Sequence, residues 1–388
     1  MSSNPNMQPT AVILGGDVNG LGVARSLARH GVPLLIVDTD LSRPTMRTRY
    51  GNKTRIGALS GPGLLESLRV LGQQLPQKPV LFLTQEASVA TLAPVHSEVA
   101  KSYRLTFAPE EIAAPLLDKN SFHVLAEKHQ CAVPKSRILR ADATEDAMQE
   151  LRYPCILKPA TKDAAYARQF SKAYRVSTAD DARALWTKIK TVISTAILQE
   201  WIEGGDGDVY FCLQYRGASG NIASFSGRKT LQWPPLVGGT ATCIPAPEAH
   251  DVLVSQTSGF FSAIGLSGLC SMEYKRDTRD GRFYMIEPTV GRTDYQEEIA
   301  ALNGVNIPLA AYCDVSGLAR AVGKSTSPWA WRDPFNYRKA LATGATDILA
   351  GVASQARIAD AYFRLADPMP YVAARLDPLR RKLFKNAP

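Results

Sequence analysis

The N-terminal third of the sequence alternates short apolar runs with glycine-rich and helical segments. An apolar run at 11–14 leads into Gly15 and Gly16, and the apolar residues that follow recur at the spacing of a helix. A second apolar run ends at Asp38. This alternation predicts an α/β unit with a parallel sheet that is complete by about residue 110. Its strands are predicted at 11–14, 32–37, 80–83 and 103–105.

From residue 118 onward, the pattern changes to one helix followed mainly by strands. Asp118 can cap a helix from Lys119 to about His129, because an aspartate before an apolar-periodic segment accepts from free backbone N–H groups. A second helix is predicted at 179–189. Strands are predicted at 155–158, 196–202, 209–215, 222–228, 269–275 and 283–287.

Two glutamates flank a turn-forming segment. Residues 277–281 read Asp-Thr-Arg-Asp-Gly, and both flanks alternate like strands, so a hairpin is predicted. With the midpoint in the turn, Glu273 and Glu287 face each other. Like charges directly opposite in a sheet are destabilising, which favours a divalent cation with oxygen ligands between them. The alternative is that Lys275 and Arg292 neutralise them at the surface.

Two lysines occupy positions that indicate a candidate binding site for an anionic ligand. Lys158 ends an apolar strand just before a proline, from which it can reach into a cleft. The alternative for Lys158 is a solvated lysine at a sheet edge. Lys119 lies in the first turn of its helix, where the dipole prefers anions, so a bound phosphate would explain it.

A further candidate segment runs from an apolar strand into an acidic, glycine-rich hinge. The strand ends in Gln199-Glu200-Trp201-Ile202, and Asp208 follows beyond three glycines. Backbone groups at such a strand end can hold a flat base, and an acidic residue just beyond can hold a ribose hydroxyl. The alternative is a plain acidic turn.

These motifs occur in the order found in the ATP-grasp superfamily. Over roughly residues 10–310 the chain resembles the carboxylate-amine ligases of that superfamily, including those similar to D-aspartate ligase. The motifs are Asp-Lys-x-x-Phe-x-x-Leu-Ala at 118–126, Tyr-Pro-Cys-Ile-Leu-Lys-Pro at 153–159, Leu-Gln-Glu-Trp-Ile at 198–202, and Met-Glu-Tyr-Lys at 272–275 followed by Phe-Tyr-Met-Ile-Glu-Pro at 283–288.

The resemblance implies a fold, a reaction and its cofactors. The fold is α/β with α+β lobes: a Rossmann-like pre-ATP-grasp domain at 1–110 and a two-lobed ATP-grasp fold at 111–195 and 196–325. A helical basic extension follows at 326–388. The reaction is ATP-dependent joining of a small-molecule carboxylate to an amine through an acyl phosphate, with release of ADP and phosphate. The cofactors are ATP and Mg²⁺, and a homodimer is compatible with the resemblance.

The resemblance also implies a role for each motif residue. From one lobe, Lys119 and Lys158 would contact the ATP phosphates. Gln199 and Glu200, with the backbone of Trp201 and Ile202, would hold adenine, and Asp208 the ribose. Glu273 and Glu287 would bind Mg²⁺, while Arg228, Lys229 and Arg292 would be the cations near the reacting carboxylate.

The sequence departs from the family pattern at two places. Thr289 stands where the family has an asparagine ligand to the metal, and Arg292 comes one residue later than usual. The loop at 160–165 contains no glycine, so its backbone cannot approach phosphates as closely, and Thr161 or Lys162 would have to substitute by side chain.

Composition and charge exclude several other classes of protein. The 388 residues are 45% hydrophobic and 21% charged, as in a globular protein, and no run reaches the ~18 apolar residues of a membrane span. The net charge of +9 includes no stripe of basic and aromatic residues, which argues against nucleic acid as a partner. Six widely spaced cysteines indicate neither a zinc site nor a redox pair. A cytoplasmic protein is expected.

Part of the positive charge is concentrated near the C-terminus. Residues 375–388 contain five basic residues and one acidic residue. A short helix is predicted to start at Asp377-Pro378, with leucines on one face. Such a segment either docks on the protein body or binds weakly and salt-sensitively to an anionic membrane surface.

Two rival functions remain open from the sequence alone. The first is an NAD(P)-dependent oxidoreductase that uses Gly15, Gly16, Gly20, Gly22 and Asp38, although their spacing is not a true G-x-G-x-x-G. A Rossmann-like unit whose glycines only permit close packing is the stronger interpretation of that segment. The second is a non-catalytic nucleotide-binding protein.

Overall fold

The computed structural model describes residues 8–140, 148–160, 164–171, 173–236, 238–319, 328–349 and 357–384. The chain forms two compact units. The first comprises residues up to 131, together with 205–274 and the chain from 287 onward, and the second comprises 132–204 and 275–286. The four domains predicted from the sequence divide the chain at different positions, and their boundaries stay a prediction.

A five-stranded parallel sheet forms the N-terminal part of the first unit. Its central strand pairs on both sides, with Ala11 opposite Leu34 and Val80. Helices cover both faces, which is why the central strands are apolar at every position. The order is β3-β2-β1-β4-β5, formed by β1 (Ala11–Leu14), β2 (Leu34–Asp38), β3 (Asn52–Arg55), β4 (Val80–Leu83) and β5 (Arg104–Leu105). The helices are Val18–Ala28, Pro62–Gln74, Glu86–Leu92, His96–Ser102, Glu110–Leu117 and Lys119–Lys128, with 3₁₀ turns at Pro44–Arg47 and Ala93–Val95.

The second unit is a four-stranded antiparallel sheet with two helices. Its strands are β6 (Ser136–Arg140), β7 (Cys155–Pro159), β8 (Tyr174–Val176) and β9 (Thr195–Glu200), in the order β6-β9-β7-β8. The helices are Ala164–Gln169 and Ala179–Ile189. Thr178 and Asp181 form a capping box at the start of the longer helix, and Trp186 from it is buried in the core of this unit.

A seven-stranded sheet forms the rest of the first unit. The order is β14-β13-β10-β11-β12-β15-β16, formed by β10 (Val209–Gly217), β11 (Gly220–Trp233), β12 (Gly239–Pro245), β13 (Gly268–Arg276), β14 (Phe283–Val290), β15 (Trp329–Arg332) and β16 (Arg357–Asp360). Its helices are His250–Ala263, Glu298–Leu302, Ile307–Ser316, Pro334–Ala342 and Met369–Phe384, with 3₁₀ turns at Asp206–Asp208 and Pro247–Ala249. Apolar residues of β10 and β11, such as Phe211 and Phe225, share one core with the helix Val18–Ala28.

The strands and helices predicted from the sequence are confirmed, with shifted ends. Among the predicted strands, the largest difference is in β11, which continues to Trp233. Asp118 caps its helix as predicted: its carboxylate accepts from Ser121 N–H at 2.8 Å, and this hydrogen bond lowers its pKa. Among the described helices, none is long and apolar enough to cross a membrane.

A buried ion pair connects the helix Val18–Ala28 to the loop before the last helix. Arg25 Nη2 lies 3.1 Å from Asp367 Oδ2, and the two side chains are 2% and 1% exposed. Asp367 also accepts from the Thr48 hydroxyl at 2.7 Å and from the Arg49 N–H at 2.9 Å. The charges are therefore both paired and hydrogen-bonded, as buried charges must be.

The predicted start of the C-terminal helix at Asp377 is wrong. The helix begins at Met369 and runs to Phe384, so Asp377 lies inside it. The first turn is formed by tertiary packing, which the local sequence does not show: Tyr371 N–H donates to Pro368 O at 3.1 Å, and the Tyr371 ring stacks on Phe335. The side chains from residue 378 onward lie outside the described part of the structure.

Candidate functional site

The two glutamates of the predicted hairpin lie on neighbouring strands. Glu273 is in β13 and Glu287 in β14. The N–H of Gly291 donates to Leu269 O at 2.8 Å. This bond lies four residues beyond Glu287 on one strand and four before Glu273 on the other, in agreement with the predicted register.

Glu273 is paired with a buried lysine. Its Oε2 lies 2.6 Å from Lys229 Nζ, and the side chains of Lys229 and Glu273 are 4% and 33% exposed. Lys229 is in β11 opposite Cys243 of β12, and its ammonium lies 3.4 Å from the Gln232 side-chain oxygen and from Gly238 O. A buried ammonium needs such oxygen partners, because its desolvation is otherwise uncompensated.

Glu287 is paired with a lysine on the protein surface. Its Oε2 lies 3.1 Å from Lys119 Nζ, and the side chains of Lys119 and Glu287 are 71% and 47% exposed. Lys119 is the first residue of its helix, where the dipole disfavours a cation. The carboxylate of Glu287 therefore compensates for an unfavourable position.

The predicted repulsion between the two glutamates is thus neutralised within the protein, but not by the residues that the sequence suggested. Lys275 donates to Gly204 O at 3.0 Å, and Arg292 donates to Thr293 O at 3.1 Å. Lys119 and Lys229 are the counter-ions instead. Lys119 belongs to one of the quoted motifs, and Lys229 is a cation that the resemblance implies near the reacting carboxylate. The first unit contains all four charged groups.

Arg228 lies on the opposite face of the sheet from Lys229. The two are neighbours in β11, and successive side chains of a strand point to opposite faces. The Arg228 guanidinium lies over the Tyr210 ring at 6.0 Å from its centroid, and its Nε lies 3.8 Å from Glu248 Oε1. Arg228 also lines a cavity of about 400 Å³ with Asp208, whose carboxylate accepts from Gly205 N–H at 2.8 Å.

A group of buried and half-buried polar residues that the sequence analysis missed follows Arg292. Asp294 accepts from the Ser271 hydroxyl at 2.9 Å, and Gln296 accepts from the Thr240 hydroxyl at 3.1 Å. The segment after Arg292 is a polar run that predicts a solvated helix start. The one sequence signal for this group is the high density of polar residues directly after β14, the strand that contains the candidate metal ligand Glu287.

Glu297 belongs to the same buried group. Its Oε2 accepts from Asp294 N–H at 3.0 Å, whereas its Oε1 has no hydrogen-bond partner among the described residues. Burial raises the pKa of the Glu297 carboxyl to about 8. Most of it is therefore protonated at neutral pH.

This raised pKa predicts a pH dependence of stability. The folded state binds the proton more tightly than the unfolded state, in which a glutamate titrates near about 4.3. The unfolding free energy should therefore fall as the pH rises from about 4.3 to about 8. Glu297→Gln should flatten this slope and be more stable than the wild type at the upper end, in chemical denaturation measured across the range. Parallel pH curves for the two proteins would contradict this assignment.

The second unit holds most of the residues predicted to contact the nucleotide. Lys158 ends β7, and its ammonium donates to Gln199 Oε1 at 3.1 Å. Glu200, at the end of β9, is buried, and its Oε1 accepts from Arg152 N–H at 2.8 Å. Lys158 is thus a half-buried lysine with a side-chain partner in the candidate adenine strand, and not a solvated edge residue.

The backbone of Trp201 is already engaged in the second unit. Its N–H donates to Pro154 O at 2.9 Å, and its C=O accepts from Arg279 Nη2 at 3.0 Å. Ile202, which follows it, is buried, and no backbone hydrogen bond of Ile202 is among those that the structure describes. Of the two, Ile202 has the backbone available for a ligand. The loop residues Thr161 and Lys162 lie outside the described residues.

Asp38 stabilises the glycine-rich turn after β1. The buried Asp38 carboxylate accepts from Gly16 N–H at 2.6 Å and from Asp40 N–H at 2.9 Å. A Cβ at Gly20 would approach Gly15 O to 2.1 Å, so this glycine is required by close packing. The carboxylate that an NAD ribose would need is therefore occupied, which favours the close-packing interpretation over the oxidoreductase.

Glu273 and Glu287 fit a magnesium site in which the protein supplies two carboxylate ligands. Among the described residues, no three His, Cys, Asp or Glu side chains form a cluster that could hold a metal ion. Mg²⁺ in nucleotide sites usually takes one or two carboxylates, together with waters and phosphate oxygens. Glu273 and Glu287, two partly exposed carboxylates on adjacent strands, have the donor chemistry for such a site.

Comparison with known proteins identifies the fold. No family model and no curated protein sequence matches the chain. Among solved structures, a biotin carboxylase–β-γ-ATP complex from Campylobacter jejuni has a TM-score of 0.63 at 15% identity, over 84% of this chain and 75% of that chain. Phosphoribosylglycinamide synthetase from Anaerococcus prevotii has a TM-score of 0.61 at 15% identity, over 80% and 76%. N5-carboxyaminoimidazole synthetase from Staphylococcus aureus, complexed with ADP, has a TM-score of 0.59 at 14% identity, over 84% and 82%.

These structures are ATP-grasp enzymes. The chain has the ATP-grasp fold. The predicted fold class is therefore confirmed, and the parallel and antiparallel sheets described above are its parts. The closer likeness to D-aspartate ligase stays a prediction, as do the roles of the individual residues, because identities of this size establish the ATP-grasp fold alone.

Proposed function

We propose that the chain is an ATP-dependent ligase that joins a small-molecule carboxylate to an amine. The ATP γ-phosphate would be transferred to the carboxylate, and the amine would displace phosphate from the resulting acyl phosphate, leaving ADP and phosphate as products. The proposal rests on the ATP-grasp fold together with one observation: the glutamates of β13 and β14 each hold a lysine ammonium at salt-bridge distance.

Such carboxylate–lysine pairs suit a site that binds a triphosphate. The two carboxylates lie on neighbouring strands of the first unit and each is paired with a lysine, so Lys119 and Lys229 can exchange their carboxylate partners for phosphate oxygens. Glu273 and Glu287 would then hold Mg²⁺. When bound, the ion neutralises charge on the phosphate oxygens.

The main obstacle to this reaction is electrostatic. A carboxylate must approach a triphosphate, and fixed cations offset the repulsion without reorganisation. We assign this role to Lys229, which is buried and held by oxygen partners, and to Arg292. Arg228 lies on the other face, beside Tyr210, and the proposal does not require it for the reacting carboxylate.

The second unit would hold adenine and part of the phosphate chain. Lys158 would contact phosphate, and Gln199 and Glu200 would lie beside the base. With the Trp201 backbone engaged, we assign the backbone contact to adenine to Ile202. Asp208 in the first unit would take the ribose, exchanging its bond from Gly205 N–H.

Lys158→Met is expected to weaken ATP binding without changing the stability of the ligand-free protein. The substitution keeps the apolar stem and removes the ammonium, so ATP affinity should fall by about tenfold or more. Titration calorimetry with ATP measures this, with Lys188→Met as the control, since Lys188 is an exposed lysine of the same unit. An unchanged ATP affinity would assign Lys158 to a structural role with Gln199.

Ligand-induced stabilisation separates this function from the oxidoreductase. A ligand that binds only the folded state raises the melting temperature. ATP with Mg²⁺ should stabilise the protein, whereas NAD and NADP should not. Stabilisation by a nicotinamide cofactor alone would overturn the proposal.

A further inference from the structure

The helix Met369–Phe384 carries an apolar face that the protein does not cover. Met369, Val372 and Leu376 follow one another at three- and four-residue spacing, so they share one side of the helix. They are 51%, 42% and 41% exposed. Tyr371, on another side of the helix, stacks on Phe335, and Ala373, which flanks the stripe, is buried.

The loop before this helix extends the apolar surface. Leu365 is 91% exposed, and Phe363, which contacts the Tyr371 ring, is also exposed. Together with the three helix residues, these make five of the fifteen large apolar side chains that are exposed among the described residues. Such a concentration within residues 363–376 is typical of an interaction surface.

Basic side chains lie beside this apolar surface. Arg338 and Arg375 hydrogen-bond to Tyr371, which lowers the pKa of its hydroxyl. The sequence continues with Arg380, Arg381 and Lys382, against Asp377 as the one acidic residue of the helix. An apolar stripe beside arginines complements the interface of an anionic bilayer, which takes apolar side chains and attracts their basic neighbours.

We propose that residues 363–384 dock the protein on an anionic lipid bilayer. The alternative occupant is a second copy of the chain, which would cover the apolar stripe by helix pairing. A symmetric contact of that kind brings the basic residues of both copies into one interface, and like charges in one interface are repulsive. Lipid phosphates and carboxylates instead match both the apolar and the basic parts.

The test is sedimentation of the full-length protein with vesicles. The vesicles contain phosphatidylcholine alone, or phosphatidylcholine with roughly one-third phosphatidylserine, and each is measured at low and high salt. Binding is expected only with phosphatidylserine and only at low salt. A Val372→Ser/Leu376→Ser variant should bind at least about fivefold more weakly, because it removes the inserted apolar groups. Leu341→Ser, at another exposed leucine, is the matched control and should bind like the wild type.

The charge is tested separately from the apolar stripe. Arg375→Gln should lower partitioning to anionic vesicles by about fivefold, while Arg69→Gln, on an exposed helix elsewhere, should not. Equal sedimentation with and without phosphatidylserine would overturn the proposal. A dimer in analytical ultracentrifugation that Val372→Ser/Leu376→Ser dissolves, without vesicle binding, would assign the surface to a second copy.

Discussion

Glu287→Gln is expected to reduce turnover by about a hundredfold or more while leaving the protein folded and stable. The substitution removes one negative charge from the proposed magnesium site but keeps the shape of the side chain. Because the Glu287–Lys119 pair is exposed, the unfolding free energy should change by no more than about 0.5 kcal/mol. ADP release and urea denaturation of the same preparation measure the two quantities.

Two variants make this result specific. Glu150→Gln breaks an exposed pair with Arg137 in the second unit and should leave both turnover and stability unchanged. Glu273→Gln should lose turnover and also stability, because it leaves the buried Lys229 ammonium without its counter-ion. If Glu273 and Glu287 repelled each other, removing the Glu273 charge would stabilise the protein. Because Glu273 neutralises Lys229, we expect a loss of stability instead. Wild-type turnover in Glu287→Gln would show that this carboxylate is not part of the site.

Asp367→Asn is expected to produce the largest loss of stability, about 3–5 kcal/mol. The aspartate neutralises Arg25, and both side chains are almost fully buried. Asparagine keeps the size but removes the carboxylate that directly contacts the buried guanidinium. Burial lowers the pKa of Arg25, which reflects the same desolvation.

Chemical denaturation of Asp367→Asn and of Glu66→Gln tests this prediction. Glu66 pairs with Arg69 on an exposed helix at 2.8 Å, so its loss should leave the unfolding free energy nearly unchanged. Arg25→Met/Asp367→Leu should recover part of the stability, because it removes both charges together. If Asp367→Asn and Glu66→Gln lowered the unfolding free energy by the same small amount, the Arg25–Asp367 pair would not be a major contributor to stability.

Strands with two buried faces were readily predicted from the sequence. β1 and β4 are continuous apolar runs, because helices cover both sides of the sheet. β3, which reads Asn-Lys-Thr-Arg, has no apolar pattern and exists because it pairs with β2 at the sheet edge. Pairing of this kind depends on the neighbouring strand, so no local pattern reveals it.

The candidate site was predictable where its residues are close in the sequence. A turn between two alternating segments was enough to bring Glu273 and Glu287 together. Lys229 comes from β11, far from Glu273 in the sequence, and only the order of strands in the sheet explains why it is the counter-ion. The buried Glu297 was missed for a related reason: its segment has the polarity of a surface helix, and tertiary packing buries it.

The most direct test of the proposed ligase is an ADP-release assay with mass detection of the product, over pairs of carboxylates and amines. The account predicts that ADP forms only when ATP, Mg²⁺, a carboxylate and an amine are all present, and that one condensed product appears for each ADP. ADP release that proceeds at the same rate without carboxylate and amine, and yields no condensed product, would contradict it.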